Sequence, residues 1–145
     1  MRQFEQVSYN SNGILPTRAD GGSAGYDFYT PIDLVIEPHQ AVKFETFIKA
    51  KMEKDEVLLL YVRSSIGIKK NLMLANGTGV IDSTYYNNPS NEGNIMCVLY
   101  NYGDTTQIIS AKERVMQGVF VKYLTTDDDK PLSDTRLGGI GSSGK

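Results

Sequence analysis

The feature that most constrains the fold of this chain is a succession of short apolar runs, each ended within a few residues by Gly, Pro, Asn or Asp. Leu34–Ile36 leads into the turn Glu37-Pro38-His39, and Val42–Ile48 alternates side chains suited to the two faces of a strand. Helical periodicity is scarce. Runs of this length, rich in β-branched and aromatic residues, predict strands separated by tight turns.

Three further runs are longer. Val57–Val62 and Asn94–Tyr100 are continuous enough to be buried strands, and Val115–Tyr123 is a long strand that follows the charged turn Lys112-Glu113-Arg114. No internal repeat is evident. Many short strands with frequent turns predict an all-β sandwich or jelly roll. A chain of 145 residues is long enough for one such domain and too short for two ordinary ones.

Charge and hydropathy exclude several classes of partner. The net charge is −2 and the sequence pI is about 5.4, so a basic face that follows a nucleic-acid backbone is not expected. An anionic ligand must then be met by a few placed cations and a metal. No apolar stretch reaches 18 residues, and the first residues do not resemble a signal peptide, so we expect a cytoplasmic protein without membrane contact.

The residues that are scarce exclude several chemistries. Cys97 is the only cysteine and lies in an apolar run, which is typical of a small hydrophobe in a strand. His39 is the only histidine and follows a proline, so we expect an ordinary surface residue. A zinc site of His and Cys lacks ligands, and a Ser-His-Asp triad would depend on that one histidine. If the chain is an enzyme, its base is expected to be a carboxylate.

The last twenty-one residues differ from the rest. They include three consecutive aspartates from Asp127, then Arg136 and the Gly/Ser-rich run Gly138–Lys145, with little apolar surface to bury. We therefore divide the chain into a β domain, residues 1–124, and a C-terminal arm, residues 125–145, that is expected to be mobile without a ligand. The arm is either a frayed terminus or a phosphate-binding segment, since it offers unhindered backbone N–H groups, hydroxyls and a guanidinium.

Two polar clusters follow apolar runs directly. Arg63-Ser64-Ser65 closes the run Val57–Val62 and is suited to phosphate, although a surface arginine beside a serine turn is an equal alternative. Asp82 follows an apolar pair, and Tyr85 comes three residues later. An acid at the end of a strand is a candidate general base, and the tyrosine ring could lie on a sugar, but a turn acid and a packing tyrosine are equally compatible.

Two further segments place polar groups inside strands. Asp27 lies in the aromatic run Tyr26–Tyr29 and is either exposed at an edge or paired, for example with a hydrated magnesium ion. Gln117 lies on the strand that follows Glu113-Arg114 and can reach a ligand from there. Each signal is weak by itself.

In their order along the chain, these segments resemble the five motifs of the trimeric dUTPase family. The resemblance runs from Ala24 to Gly144, which is most of the chain. The matching segments are Ala24–Asp27, Arg63–Ser65, Gly79–Tyr85, Arg114–Gln117 and, in the arm, Arg136 with Gly138–Gly144.

The resemblance implies a distorted jelly-roll (β-clip) fold of many short strands, assembled as a homotrimer with active sites at the subunit interfaces. It also implies an arm that closes over the site of a neighbouring subunit. The implied reaction is the hydrolysis of dUTP to dUMP and pyrophosphate with Mg²⁺ as cofactor, which keeps uracil out of DNA and supplies dUMP for dTMP synthesis.

The resemblance also implies roles for individual residues. Asp82 would activate the water that attacks the α-phosphorus, Tyr85 would pack on the deoxyribose and exclude a 2′-hydroxyl, and Asp27 would orient Mg²⁺ through water. The residues implied to bind the remaining parts of the nucleotide are Asn76, Gly79 and Ile81 for uracil; Arg63, Ser64, Ser65 and Gln117 for phosphates; and Arg136, Ile140, Gly141, Ser142 and Ser143 for closure by the arm.

Three features depart from the family pattern, and the mildest is the serine pair Ser142-Ser143 in place of the more usual Ser-Thr. Ile140 stands where the family usually has a phenylalanine that stacks on uracil, so the aromatic stacking is lost. The polar stretch Tyr86–Asn91 is inserted after Tyr85, where it could lengthen a wall of the site, bind a protein partner or decorate the surface.

Two alternative functions remain to be separated from dUTP hydrolysis. The related dCTP deaminases carry a catalytic glutamate two residues before a tyrosine, where this chain has Val98 before Tyr100, which makes deamination unfavourable. A regulatory protein of the same fold, which binds a partner through Tyr86–Asn91, belongs to a different class and is compatible with retained catalysis.

Overall fold

The computed structural model describes residues 1–133, 136, 138 and 139. These described residues form twelve strands and two short helical turns, so the predicted all-β class is confirmed. The strands are β1 Gln3–Gln6, β2 Thr17–Arg18, β3 Tyr26–Tyr29, β4 Leu34–Ile36, β5 Ala41–Glu45, β6 Ile48–Lys51, β7 Glu56–Val62, β8 Leu72–Leu74, β9 Gly79–Asp82, β10 Met96–Asn101, β11 Gln107–Ile109 and β12 Arg114–Lys122. The helical turns are Ser65–Lys69 and Ser83–Tyr85.

The strands pair into one five-stranded sheet, one three-stranded sheet and two two-stranded ribbons. Their orders are β2-β3-β12-β7-β9, β5-β10-β8, β1-β6 and β11-β4. Every pairing is antiparallel. Sheets of this kind bury one face and leave the other free, which produces the alternating patterns seen in the sequence.

The core lies between the sheets and is made of aliphatic and aromatic side chains. Phe28, Leu58, Leu99 and Met116 are fully buried, and Leu60 is almost so. Cys97 is buried in β10 as expected, and this burial raises the pKa of its thiol to about 12, which makes it unreactive. His39 is exposed, as predicted.

The run predicted to alternate across Val42–Ile48 is divided into β5 and β6 by a kink. Phe47 has φ of 58°, and its N–H donates to Asn94 Oδ1 at 2.9 Å while its carbonyl accepts from Val7 N–H at 3.0 Å. The kink thereby connects the N-terminal segment to the loop before β10. Side-chain alternation does not reveal it, because the partners come from distant parts of the chain.

Across the described residues, no helix has the length and apolar character needed to cross a bilayer. The last strand, β12, ends at Lys122. The division into a domain and an arm at residue 124 stays a prediction, and Ile140, Gly141, Ser142 and Ser143 lie outside the described residues.

Candidate active site

The outer face of the five-stranded sheet carries the predicted polar residues in two separate places. Asp27, Gln117 and Tyr61 lie directly opposite one another on β3, β12 and β7. Asp82 on β9 lies opposite Val57, at the other end of β7. Because directly opposed residues share a face and alternate residues return to it, Asp27 and Asp82 both lie on this outer face, at diagonal corners.

The corner around Asp27 is a paired cluster, which we call the phosphate end because the residues predicted to bind phosphates lie there. Its carboxylate lies 3.4 Å from Arg63 Nε and 3.3 Å from Arg114 Nη1, with the Asp27 side chain 11% exposed. Arg63 follows β7 directly, and its carbonyl accepts N–H bonds from Ile66 and Gly67 that open the helical turn Ser65–Lys69. One carboxylate facing two guanidiniums leaves this corner positive and suited to an anion.

A close backbone approach sets the position of Gln117. A Cβ built on Gly25 would lie 2.6 Å from Gln117 Oε1, so only glycine leaves room for this side chain as it stands. Ser64 and Ser65 lie at the start of the helical turn beside Arg63. The structure therefore places Asp27, Arg63, Ser64, Ser65 and Gln117 at one end of the sheet.

Arg114 also belongs to this cluster, although the sequence interpretation assigned it no role. It begins β12, three residues before Gln117. The signal that could have identified it is an arginine entering the same strand as a predicted phosphate ligand.

The corner around Asp82 is built differently, and we call it the sugar end. Asp82 is the last residue of β9, and the turn Ser83–Tyr85 returns Tyr85 to its side. The Asp82 side chain is 51% exposed, and its Oδ2 accepts from Arg136 Nη1 at 3.0 Å. The Arg136 guanidinium also lies over the Tyr85 ring, 5.1 Å from the ring centroid. Arg136 therefore lies at the sugar end of its own chain.

Tyr85 is buried at its hydroxyl end. The hydroxyl donates to the Asn94 carbonyl at 2.6 Å and accepts from Asn91 Nδ2 at 2.9 Å. Burial raises the pKa of Tyr85 above its usual value, so the hydroxyl stays neutral. Since the phenol is fixed inside, the ring face under Arg136 is the part that a ligand would meet.

The predicted uracil-reading residues lie beside Asp82 on β9 and in the turn before it. Asn76 is exposed in that turn, whose backbone closes through Gly77 N–H to the Leu74 carbonyl at 2.9 Å. Gly79 is buried against Leu60, where an added Cβ would lie 2.9 Å from the Leu60 Cβ. Within the described part of the chain, β9 pairs with β7 alone, so its other edge presents backbone groups to a planar ligand.

An apolar patch separates the two corners. Val119, Leu59 and Val80 lie opposite one another across β12, β7 and β9, and Val80 is 59% exposed. Val121 and Val57 continue the patch in the next row of the same face. An apolar sheet face left this open is typical of an interface between subunits.

The insert Tyr86–Asn91 is built into the body of the domain. Asn88 is buried, and the Tyr86 hydroxyl donates to Glu5 Oε1 at 2.7 Å. Lys49 Nζ donates to Asn87 Oδ1 at 2.6 Å. Several of its polar groups thus form hydrogen bonds with other residues of the same domain, which the composition of the insert did not reveal.

Comparisons with known proteins agree with this architecture. The family model described as dUTPase matches residues 11–144. The chain is 42% identical, over 99% of its length and 98% of the relative, to the deoxyuridine 5′-triphosphate nucleotidohydrolase of Lactococcus lactis. It is 32% identical, over 95% of its length and 94% of the relative, to the enzyme of the same name from Swinepox virus.

Solved structures give the same result. The dUTPase from Streptococcus mutans is 42% identical and superposes with a TM-score of 0.79, over 86% of this chain and 98% of that one. The dUTPase from phage phi11 of S. aureus is 21% identical with a TM-score of 0.75, over 92% and 97% of the two chains, and supports the fold alone. The predicted jelly-roll-like fold is therefore confirmed.

Proposed function

The chain belongs to the dUTPase family and is a dUTP diphosphatase, and on this premise we propose that each of its sites is shared between copies of the chain. The observation that carries this proposal is the position of Asp82 and Arg63 at opposite ends of β7. Arg63 lies six positions after Val57, the partner of Asp82, which corresponds to about 20 Å at 3.3 Å per residue.

A triphosphate is much shorter than this separation. A water held by Asp82 must lie beside the α-phosphorus, whereas Arg63, Ser64, Ser65 and Gln117 must contact the phosphates themselves. One chain cannot place both groups on one nucleotide, so the sugar end of one copy faces the phosphate end of another. A closed ring of three copies completes three such sites, and the exposed patch around Val80 supplies an apolar face for the contact.

In this arrangement Asp82 is the general base. Its carboxylate takes a proton from a water molecule while the water oxygen forms a bond to the α-phosphorus. The bond between the α-phosphorus and the oxygen that bridges to the β-phosphate breaks, and that oxygen leaves as part of pyrophosphate. The products are dUMP and pyrophosphate, and no covalent enzyme intermediate is needed.

The base and the sugar are selected around β9. The uracil edge can be matched by hydrogen-bonding groups on the free edge of this strand. These are backbone groups of Gly79 and Ile81, together with the Asn76 side chain. A polar frame of this kind rejects a base that leaves its groups unpaired. The Tyr85 ring packs on the deoxyribose, where a 2′-hydroxyl would find no room.

Arg63, Ser64, Ser65 and Gln117 hold the phosphates, with Arg114 as a further cation. Their support is the cluster around Asp27, in which two guanidiniums face a single carboxylate. Charge neutralisation and positioning of this kind account for most of the catalysis in phosphoryl transfer.

Magnesium fits the phosphate end only together with the nucleotide. Among residues 1–133, 136, 138 and 139, no three His, Cys, Asp or Glu side chains group so as to hold a metal alone. Mg²⁺ commonly uses one or two carboxylates, several waters and substrate phosphates, so Asp27 would hold a hydrated ion through water. When bound, Mg²⁺ neutralises charge on the phosphate oxygens.

The arm completes the site. Arg136 already contacts the Asp82 carboxylate and the Tyr85 ring. It must leave this ring face for the sugar to enter, so we infer that it exchanges the Asp82 carboxylate for the γ-phosphate when dUTP binds. Ile140 then covers uracil, and Gly141, Ser142 and Ser143 close over the phosphates.

Pyrophosphate release from a panel of dUTP, dTTP, dCTP and UTP, with and without Mg²⁺, tests these proposals. We expect release from dUTP alone and only with Mg²⁺. Asp82→Asn should lower kcat by about 10²–10⁴-fold, the usual contribution of a general base, with little change in thermal stability. Unchanged turnover in this variant would refute the role of Asp82.

Three expectations from the sequence stay predictions: a cytoplasmic location, the cellular role in excluding uracil from DNA, and a protein partner at the insert Tyr86–Asn91. Deamination of dCTP has no support, because Val98 lies in β10 where a deaminase needs a carboxylate and the family is now assigned.

A further inference from the structure

The insert Tyr86–Asn91 is organised around a single amide pair at its base. Asn88 Nδ2 donates to the Tyr85 carbonyl and to Asn91 Oδ1, both at 2.7 Å. Asn88 Oδ1 accepts from Ser90 N–H at 3.0 Å, and Asn91 Oδ1 accepts from Gly93 N–H at 3.0 Å. With its oxygen engaged in this way, Asn91 has one orientation, and its Nδ2 points at Tyr85.

Asn91 Nδ2 donates to the Tyr85 hydroxyl at 2.9 Å, and that hydroxyl donates to the Asn94 carbonyl at 2.6 Å. The phenol oxygen is thus held from both sides, as donor and as acceptor. Tyr85 is only 4% exposed. A ring held at its far end cannot swing away from its place beneath Arg136, so the bond from Asn91 helps to fix the position of the ring axis.

Hydrogen bonds from residues outside the insert also hold it in place. Lys49 Nζ donates to Glu92 Oε1 at 2.9 Å, and the Glu92 carboxylate accepts from the Ser8 hydroxyl at 2.7 Å. These bonds join the residue after Asn91 to β6 and to the segment after β1. The position of Asn91 therefore depends on the body of the domain and not on the insert alone.

The arm meets the same place. A Cβ built on Gly139 would lie 3.0 Å from Asn91 Nδ2 and 3.1 Å from Ser90 Oγ. The Arg136 guanidinium lies over the Tyr85 ring, 5.1 Å from the ring centroid. Asn91 is thus in contact with Tyr85, which is proposed to face the sugar, and is close to the arm at Gly139.

We propose that Asn91 is a positioning residue through which the insert sets the selection of deoxyribonucleoside over ribonucleoside triphosphates, by fixing the ring of Tyr85. The proposal rests on the proposed packing of Tyr85 against the sugar. The 2′-hydroxyl is excluded by contact distance, and a ring freed at its hydroxyl can withdraw far enough to admit it. The insert is then part of the wall of the site.

The test measures kcat/KM for dUTP and for UTP and compares their ratio among variants. Asn91→Asp keeps the size of the side chain and the oxygen that accepts from Gly93, but removes the N–H that reaches Tyr85. Because dUTP and UTP carry the same charge, a general repulsion from the new carboxylate cancels in the ratio.

We expect the ratio to fall about fivefold in Asn91→Asp, which corresponds to one lost hydrogen bond. Tyr85→Phe should lower it at least as much, because it removes the bonds to both Asn91 and Asn94, and the double variant should fall no further than Tyr85→Phe, since that change already breaks the Asn91 contact. Tyr86→Phe is the matched control, because it removes a tyrosine hydroxyl bond of the same insert, to Glu5, and should leave the ratio unchanged.

An unchanged ratio in Asn91→Asp, an equal fall in Tyr86→Phe, or fully additive effects in the double variant would overturn the proposal. Tyr85→Ala separates this failure from that of the sugar contact itself. If Tyr85→Ala lowers the ratio and Asn91→Asp does not, only the role of Asn91 is wrong. If Tyr85→Ala also leaves the ratio unchanged, Tyr85 does not face the sugar, and both proposals fall.

Discussion

The phosphate end and the sugar end lie on one sheet face, yet they are held by different kinds of structure. Asp27 and Gln117 lie in register on neighbouring strands, and Arg63 follows the next strand directly. At the sugar end Asp82 belongs to a strand, whereas Tyr85 and Arg136 reach it from a turn and from the arm.

The charges differ as well. At the phosphate end one carboxylate lies between two guanidiniums, whereas at the sugar end Arg136 and Asp82 form a single pair. The first arrangement retains positive charge for an anion, and the second is neutral until Arg136 leaves. In the proposed site, the phosphates, which every nucleoside triphosphate carries, are met by residues on and beside neighbouring strands of the sheet. The base and the sugar, which must be discriminated, are met in part by the turn Ser83–Tyr85 and by the arm.

The largest effect should come from dividing the two ends between different chains. Asp82→Asn and Arg63→Ala chains, each nearly inactive alone, should regain activity when unfolded together and reassembled. In a ring where each site takes Asp82 from one copy and Arg63 from the next, random mixing of equal amounts restores about a quarter of wild-type activity. Pyrophosphate release from the mixture measures this recovery.

The control for this mixing experiment is a chain that carries both changes. Asp82→Asn mixed with the double variant Asp82→Asn/Arg63→Ala has no intact Asp82 and should regain nothing. If the two single variants also regain nothing while size measurements show mixed assemblies, both ends act within one chain, and the shared site is wrong.

A second prediction concerns the carboxylate of the phosphate end. Asp27→Asn leaves Arg63 and Arg114 in place but removes the charge that would hold hydrated Mg²⁺, so the Mg²⁺ concentration needed for half-maximal activity should rise about 10–100-fold. A Mg²⁺ titration of dUTP hydrolysis measures it. Asp55→Asn removes an equal charge from an exposed pair with Lys122 and should leave the titration unchanged. An unchanged Mg²⁺ requirement in Asp27→Asn would remove Asp27 from the metal site.

A third prediction tests the close packing of the phosphate end. Gly25→Ala puts a methyl group 2.6 Å from Gln117 Oε1, so the amide must move. The KM for dUTP should rise about 10–100-fold, as for the loss of one hydrogen bond to a charged group, with a smaller change in kcat. Gly21→Ala has open space around its Cβ and serves as the control. Equal KM values for the two variants would mean that Gln117 does not hold phosphate.

The difference between the ends also explains what could be predicted from the sequence. The strands around Val57–Val62 and Val115–Tyr123 were predicted because the first is a continuous apolar run and the second a long run after a charged turn. The motif residues of the phosphate end lie on or beside those strands. Local patterning suffices where a residue's position depends on register alone.

The sugar end could be predicted only in part. Asp82 and Tyr85 were recognised, but the polar composition of the insert suggested a surface loop, whereas Asn88 is buried and Asn91 bonds to Tyr85. Amides that satisfy one another are indistinguishable in sequence from amides that face water. The kink at Phe47 was missed because its partners, Val7 and Asn94, are distant in the chain.

The smallest expected effect is on stability, and it comes from the hydrogen bonds of Glu92 to Ser8 and Lys49 near the sugar end. Hydrogen bonds from Ser8 and Lys49 hold the pKa of Glu92 at about 2, well below its usual 4.5. Because the folded pKa is the lower one, the ionised carboxylate stabilises the fold fully above about pH 5, and this contribution is lost as the pH falls toward 2. Glu92→Gln should therefore lower Tm by a few degrees at pH 7 and flatten the decline of Tm between pH 5 and pH 2.

Glu37→Gln, an equal change of charge at an exposed site, should keep the wild-type slope. Thermal unfolding followed by circular dichroism across this range measures both. A wild-type slope in Glu92→Gln would mean that the Glu92 bonds do not stabilise the fold, and that the insert is held by its amides and by the bonds of Tyr86 and Asn87.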